Sequence, residues 1–170
     1  MKDTYKLVLG IDPGKSGGIG SIEKNGNANV VRFPLEIENL PFIVEAFIEG
    51  YKADEVLVMI EHVHSFPTDS RPSAFSFGRN LGQWEGVLYT NELKIKTVPP
   101  KTWQKFYDIP QIKDKYERKR WLKEKAKELF PDCEGGNTVK ITLATCDALL
   151  IANYANEQYN KKKGRKWEEQ

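Results

Sequence analysis

An uninterrupted apolar run, Val56 to Ile60, constrains the fold more than any other segment of this chain. A run without polar alternation suits a central strand that is covered on both faces, as strands of parallel sheets are. Between Leu40 and Tyr51, apolar residues recur at three- and four-residue spacing, which predicts an amphipathic helix. Because a helix that leads into a buried strand indicates a parallel crossover, we expect an α/β fold.

Three shorter segments ahead of that helix are predicted to form an antiparallel meander. They run over Lys6 to Ile11, Gly18 to Glu23 and Asn29 to Phe33. An Asn-Gly signal at 25–26 separates the second from the third and favours a tight hairpin. With a further strand over Ile95 to Val98, we expect a mixed sheet of three antiparallel strands followed by parallel strands, flanked by helices.

The remaining segments are expected to complete a single domain over residues 1–160, followed by a basic, flexible tail over 161–170. Ser65 to Ser76 contains two prolines and no regular apolar period, so it is predicted to be a mobile loop. Helices are predicted from near Arg79 onward, from Tyr116 to Phe130 and from Leu143 to Tyr159.

Composition excludes several classes of protein. The chain has 170 residues, of which 39% are hydrophobic and 29% charged, and no apolar run approaches the roughly 20 residues of a membrane span. No charged and then apolar leader opens it, so we expect a cytoplasmic protein without a membrane partner. The two cysteines and two histidines do not form a zinc-binding pattern.

Charge is divided unevenly along the chain. Residues 1–93 carry 8 Lys and Arg against 13 Asp and Glu, a net of −5, and residues 94–170 carry 18 against 11, a net of +7. This asymmetry favours an acidic functional region beside a basic face that binds a polyanion. A solvated helix surface would give the same pattern, so charge alone leaves both interpretations open.

Three carboxylates lie where buried segments are expected to meet solvent. Asp12 follows the first strand, Glu61 follows the apolar strand, and Asp147 begins an apolar helix. Clustered acids repel one another unless a cation neutralises them, and oxygen ligands favour Mg²⁺, with Mn²⁺ as a substitute. Two such ions about 4 Å apart would support phosphodiester hydrolysis. Taken singly, each acid also suits a structural role in a turn, an ion pair or a helix start.

Five short motifs follow one another along the chain: Gly10 to Gly14, Ile60 to His64, Phe75 to Arg79, Pro99 to Trp103 and Cys146 to Ala152. In this order they resemble the RuvC family of Holliday junction resolvases, especially its phage-type branch. The match spans nearly the whole chain, whereas sugar kinases and actin-like ATPases share only a lone GxDxG. The resemblance implies a ribonuclease H-like fold, a homodimer, and paired Mg²⁺-dependent nicks across a four-way DNA junction.

The resemblance also assigns catalytic and metal-binding roles to the three acids. At Ala144, where it implies a fourth metal ligand, this chain has none. The family has a fourth ligand, Asp or His, one helical turn before the last acid, and a methyl group cannot bind a cation. One interpretation is that the natural protein has Asp or His there and that this chain is a deliberately inactivated form. The alternatives are a natural three-acid site and a fourth ligand from elsewhere, such as His64 or Thr142.

Two kinds of side chain are predicted to contact DNA. By resemblance, Phe75 or Phe77 lies near the exchange point and stacks on unpaired bases, although such aromatics also suit a core or a dimer seam. Basic side chains would neutralise phosphates and make affinity depend steeply on salt. The candidate phosphate contacts are Arg79, Lys101, Lys105, Lys113, Lys115, Arg118 and Lys119.

A two-fold dimer would present equivalent sites to the two cleaved strands. The helix that begins near Arg79 is a candidate dimer element through Trp84, Val87 and Leu88, whereas Trp103 is expected in the core. Two other functions stay open. A junction-binding module would keep the fold and the dimer without turnover, and an actin-like phosphotransferase would need a second phosphate-binding glycine loop, which the sequence does not show.

Overall fold

The computed structural model describes residues 5–62, 70–134 and 140–161. In these ranges the chain forms five strands and five α-helices, joined by turns and short 3₁₀ segments. They are β1 (Leu7–Asp12), β2 (Gly18–Glu23), β3 (Ala28–Arg32), α1 (Leu40–Ile48), β4 (Val56–Glu61), α2 (Arg71–Thr90), β5 (Lys94–Val98), α3 (Pro100–Phe106), α4 (Lys115–Leu129) and α5 (Cys146–Asn156).

The strands of the described ranges form one mixed sheet in the order β3-β2-β1-β4-β5. β1 and β3 each pair antiparallel with β2, and β4 runs parallel to both β1 and β5. The predicted mixed sheet and the parallel crossover are therefore confirmed. Because β1 and β4 are parallel neighbours, their carboxyl ends reach the same edge of the sheet.

Both faces of the sheet are covered by helices. Leu57 and Met59 of β4 pack with α4 and α5 on one face, whereas Val58 and Ile60 pack with α1 and α2 on the other. Successive side chains of a strand point to opposite faces, so a strand between two helical layers must be apolar at every position. This position explains why the run from Val56 to Ile60 is apolar throughout.

Two glycines let α5 lie directly on the sheet. Gly10 of β1 and Gly20 of β2 are cross-strand partners. A Cβ at Gly10 would come within 2.2 Å of the Ala148 carbonyl oxygen, and one at Gly20 within 2.7 Å of the Leu149 backbone. No side chain fits into so small a gap. The close approach places the first turn of α5, with Asp147, beside the carboxyl end of β1.

Helix α2 begins at Arg71, earlier than predicted. The Ser70 hydroxyl caps it by accepting a hydrogen bond of 3.3 Å from the Ser73 N–H. Pro72 fits in the first turn, where its missing N–H leaves no hydrogen bond unmade. The loop prediction is therefore wrong for residues 71–76, and its part over 65–69 lies outside the described residues.

Other predictions about the helices are corrected as well. Helix α3 was not anticipated, and α5 is shorter than predicted, passing into a π-helical turn at Glu157–Lys161. Trp84 and Leu88 of α2 are fully buried against their own sheet, so the proposed dimer contacts through them are wrong. No helix in the described ranges has the length and apolarity needed to cross a membrane. Of the tail predicted over 161–170, Lys161 belongs to the π-helical turn, and 162–170 lie outside the described residues.

Candidate active site

The three carboxylates meet at one edge of the sheet. Asp12 and Glu61 end the parallel neighbours β1 and β4, and Asp147 lies in the first turn of α5. Glu61 is 8% exposed and Asp147 9% exposed, while Asp12 is partly buried. All three lie near enough for their charges to interact. The sequence therefore identified acids that the fold does bring together.

Burial and mutual repulsion make two of these acids weaker than usual. Burial and the neighbouring charge of Asp147 raise the pKa of Asp12 to about 6, against the opposing effects of Lys119 and the Gly14 N–H. Burial and repulsion by Asp12 raise the pKa of Glu61 to about 7. Carboxylates under such repulsion gain most from a cation placed between them.

Glu61 and Asp147 each have a specific partner on a neighbouring helix. The Trp103 indole N–H of α3 donates a hydrogen bond of 2.8 Å to Glu61 Oε1. The Lys119 ammonium of α4 donates to Asp147 Oδ2 and forms an ion pair with it. Burial is the largest single effect and would lower the pKa of Lys119, but the charge and hydrogen bond of Asp147 together with smaller neighbouring effects outweigh it, so the lysine pKa is raised. We call the sheet edge that carries Asp12, Glu61 and Asp147 the acid edge. Helices α3 and α4 both contact it.

The chemistry of these donors suits a hard divalent cation, since all are carboxylate oxygens. Among the described residues, no three acid, His or Cys side chains are arranged as a ready ligand cage. Glu61 Oε1 and Asp147 Oδ2 already accept hydrogen bonds, from Trp103 and Lys119 respectively. A cation would have to compete with Lys119 for Asp147.

Ala144 lies just before α5 and lines the same cavity as Asp147. The position predicted for a fourth ligand is therefore beside the acid edge, although its methyl group offers no oxygen. Of the two substitutes considered, Thr142 shares a 3.2 Å hydrogen bond with the Thr145 hydroxyl and accepts one from the Ala144 N–H. His64 lies outside the described residues.

The two candidate stacking residues lie on α2. Phe75 is 73% exposed, which leaves its ring free to contact a ligand. Phe77 is half-buried and lines a small cavity with Lys15, from the turn after β1. Neither is part of the two main core clusters. Their predicted contact with bases stays a prediction.

Most candidate phosphate contacts are exposed, and they fall around two grooves. Lys101, Lys105 and Arg118 line a groove of about 400 Å³ between α3 and the start of α4. Lys115, Lys119 and again Arg118 line a cavity of about 1380 Å³ that reaches Asp147. Arg79 and Lys113 are also exposed. Lys119 differs from the rest because it is partly buried and already contacts the acid edge.

Sequence reasoning missed two functional contacts. Trp103 was expected in the core, and it is fully buried there, but its bond to Glu61 was not foreseen. Lys119 was expected to contact phosphate, and its ion pair with Asp147 was not foreseen. The motif from Pro99 to Trp103 was a signal for this tryptophan, since it was one of the five motifs that resemble those of the RuvC family.

Comparisons with known proteins agree with this arrangement at the level of fold. No protein-family model and no curated protein sequence matches the chain. Thermus thermophilus RuvC in complex with a Holliday junction substrate is 16% identical, with a TM-score of 0.58 over 93% of this chain and 96% of that chain. Another Thermus thermophilus RuvC structure gives 16% and 0.57 with the same coverage. The yeast mitochondrial Holliday junction resolvase Ydc2 gives 12% and 0.52 over 96% of this chain and 82% of that chain.

At these identities the likeness concerns the backbone, over nearly the full length of the chain. The mixed five-stranded sheet of the described residues, with helices on both faces, is the arrangement that the sequence led us to expect. This chain therefore has the ribonuclease H-like fold of RuvC.

Proposed function

We propose that this protein is a metal-dependent endodeoxyribonuclease that makes paired nicks across four-way DNA junctions, within the phage-type branch of the RuvC family. The observation that carries the proposal is the convergence of Asp12, Glu61 and Asp147 at one sheet edge of a RuvC-like fold. A cavity lined by basic side chains opens onto this edge, as a polyanionic substrate requires.

The three acids are proposed to hold two Mg²⁺ ions, with Mn²⁺ as a substitute. Bound there, the ions would supply an activated water and stabilisation of the leaving oxyanion. Trp103 orients the Glu61 carboxylate through its indole N–H. Lys119 holds Asp147 in the metal-free protein and places a positive charge where a phosphate would approach.

Substrate binding is assigned to the exposed basic side chains around the two grooves and to Phe75 or Phe77. Phosphate contacts position a duplex without reading its sequence, so affinity for a junction should fall steeply with salt. A homodimer is proposed because two equivalent sites would meet two equivalent strands. Since Trp84 and Leu88 are buried, its contacts must come from other side chains.

A labelled four-way junction, incubated with and without Mg²⁺ and scored for both retention and nicking, tests the proposal. Paired nicks that require Mg²⁺ and disappear in Asp12→Asn, Glu61→Gln and Asp147→Asn are the expected result. Asp54→Asn is the matched control, because Asp54 is exposed and lies before β4, at its amino end. Nicking that survives all three active-site variants contradicts the proposal.

Ala144 favours a second candidate function, a junction-binding module without turnover. If position 144 is where a fourth ligand belongs, the chain as given retains junctions but does not nick them. Ala144→Asp should then give Mg²⁺-dependent nicking. Unchanged activity would refute the hypothesis that a ligand is missing at position 144. Retention without nicking in both forms supports the binding module.

A further inference from the structure

The cavity beside the acid edge is larger than most small-molecule pockets. It lies between α4, β3 and the segment 140–145, and its volume is about 1380 Å³. Pockets for small molecules usually measure about 300–1,000 Å³. Asp147 lies on its wall, so the cavity opens onto the acid edge. A length of polymer fits this shape better than a metabolite.

The charge of the cavity is almost entirely positive. Among its described lining residues, seven are Lys or Arg and one, Asp147, is acidic. Four of the seven follow α4 at four-residue spacing and form what we call the lysine row: Lys115, Lys119, Lys123 and Lys127.

The lysine row has a direction. Residues four apart share one face of a helix and advance by about 6 Å along its axis. The row therefore runs along α4, and its second member, Lys119, contacts Asp147. Arg32 of β3 and Lys140 line the same cavity from other elements.

An exposed aromatic ring stands within this basic cavity. Tyr116 of α4 lines it and is 65% exposed. The Arg120 guanidinium lies 5.7 Å from the centre of its ring. Lys119, one turn further along the helix, reaches Asp147. Apolar Val31 and Leu143 are part of the wall as well. The cavity thus offers surfaces for bases in addition to charges for phosphates.

We propose that this cavity binds an unpaired DNA strand leading into the acid edge, with the lysine row on its phosphates and Tyr116 stacked on one of its bases. In a duplex, every ring face is already stacked on its neighbours, so Tyr116 would find no partner. An unpaired strand presents free base faces, and stacking on an aromatic side chain is tolerant of sequence. The inference rests on the proposed function in taking DNA as the polyanion.

Fluorescence anisotropy in chelator-containing, metal-free buffer tests the proposal without requiring cleavage. The probes are a labelled single strand of about 20 thymidines and a duplex of equal length, which is about two helical turns. Tyr116→Ala should weaken binding of the single strand by about 5- to 150-fold and leave duplex binding within about twofold. Tyr116→Phe keeps the ring and should bind as the unsubstituted protein does.

The lysine row is tested by the double variant Lys123→Gln and Lys127→Gln. If two phosphate contacts are lost, the slope of log affinity against log salt for the single strand should fall by about 1.4. Lys125→Gln is the matched control, because Lys125 is on the same helix but lines a different cavity and pairs with Glu128. It should change the slope by less than half as much as the double variant.

Two results would overturn the proposal: Tyr116→Ala without effect on the single strand, or an equal loss for strand and duplex, which would make the occupant a duplex arm. The outcome is separable from that of the proposed function. Strand binding that depends on Tyr116 in a protein that never nicks junctions refutes only the nuclease. Junction nicking with Tyr116-independent strand binding refutes only the strand groove.

Discussion

Replacing Gly10 with alanine perturbs the contact that sets α5 on the sheet. The added Cβ would lie 2.2 Å from the Ala148 carbonyl oxygen and 2.2 Å from the Ala152 nitrogen. Non-bonded carbon contacts settle near about 3.5 Å, so α5 must withdraw by on the order of 1 Å. Overpacking of this kind costs about 1–3 kcal/mol of unfolding free energy. Because Asp147 is on the same helix, the acid edge moves with it.

Urea unfolding and Mg²⁺-dependent junction nicking measure the two consequences. Gly10→Ala should lower the free energy of unfolding by about 1–3 kcal/mol and slow nicking by about 100-fold, since misplacing a catalytic group by about 1 Å has that effect. Gly82→Ala is the matched control. Gly82 is exposed on α2, and a Cβ there would meet nothing within 4 Å. Alanine at that position should stabilise the helix by about 0.5–1 kcal/mol without changing nicking.

An unchanged urea midpoint in Gly10→Ala would refute the reasoning, because it would mean that α5 does not need the space that glycine leaves. A destabilised variant that nicks at the original rate would refute only its second half. The position of Asp147 would then not depend on the contact between α5 and β1.

The remaining predictions concern the acid edge. The raised pKa values of Asp12 and Glu61, about 6 and 7, mean that the metal-free folded protein binds protons more tightly than the unfolded chain. Their contribution to stability is full below about pH 4 and is lost as the pH rises through about 6 to 7, so Mg²⁺ should raise the Tm more at pH 8 than at pH 5. Trp103→Phe removes a hydrogen bond that lowers the pKa of Glu61, so that pKa should rise and the pH–rate profile of nicking should move to higher pH. Lys119→Met frees Asp147 and removes a compensating charge, so it should lower the metal-free Tm at pH 8 and increase the rise caused by Mg²⁺, as measured by thermal melting.

Contrary outcomes are equally definite for these three predictions. Equal Mg²⁺ effects on the Tm at both pH values would mean that the acids are not where the ion binds. If the pH–rate profile of nicking is unchanged in Trp103→Phe, the ionisation of Glu61 does not control the rate. A smaller Mg²⁺ effect in Lys119→Met would mean that the lysine assists the cation instead of competing with it.

Local patterns predicted most of the sheet. The unbroken run Val56 to Ile60 indicated a strand covered on both faces, and it lies between two helical layers. The Asn-Gly turn at 25–26 indicated the hairpin of β2 and β3. These signals are local: a turn is specified by two residues, and the burial of a strand or helix face follows the side-chain period of that element.

Capping and helix starts were harder to predict. The prolines at 67 and 72 favoured a loop, yet Ser70 caps a helix that accepts Pro72 in its first turn. Helix α3 likewise begins with Pro100, directly after the strand that Pro99 ends. The same residue type stops one element and starts the next, so proline alone does not decide between them.

By itself, the sequence determined which strands form and which three acids lie at strand ends or at the start of the last α-helix. Those features depend on short apolar periods and on where each period stops. Only the tertiary structure decided what those acids touch. Trp103 reaches Glu61 from 42 residues away, and Lys119 reaches Asp147 from 28 residues away. Contacts at such separations depend on how the helices pack across the sheet, and local sequence patterns do not specify that packing. The same packing places the lysine row beside the acid edge.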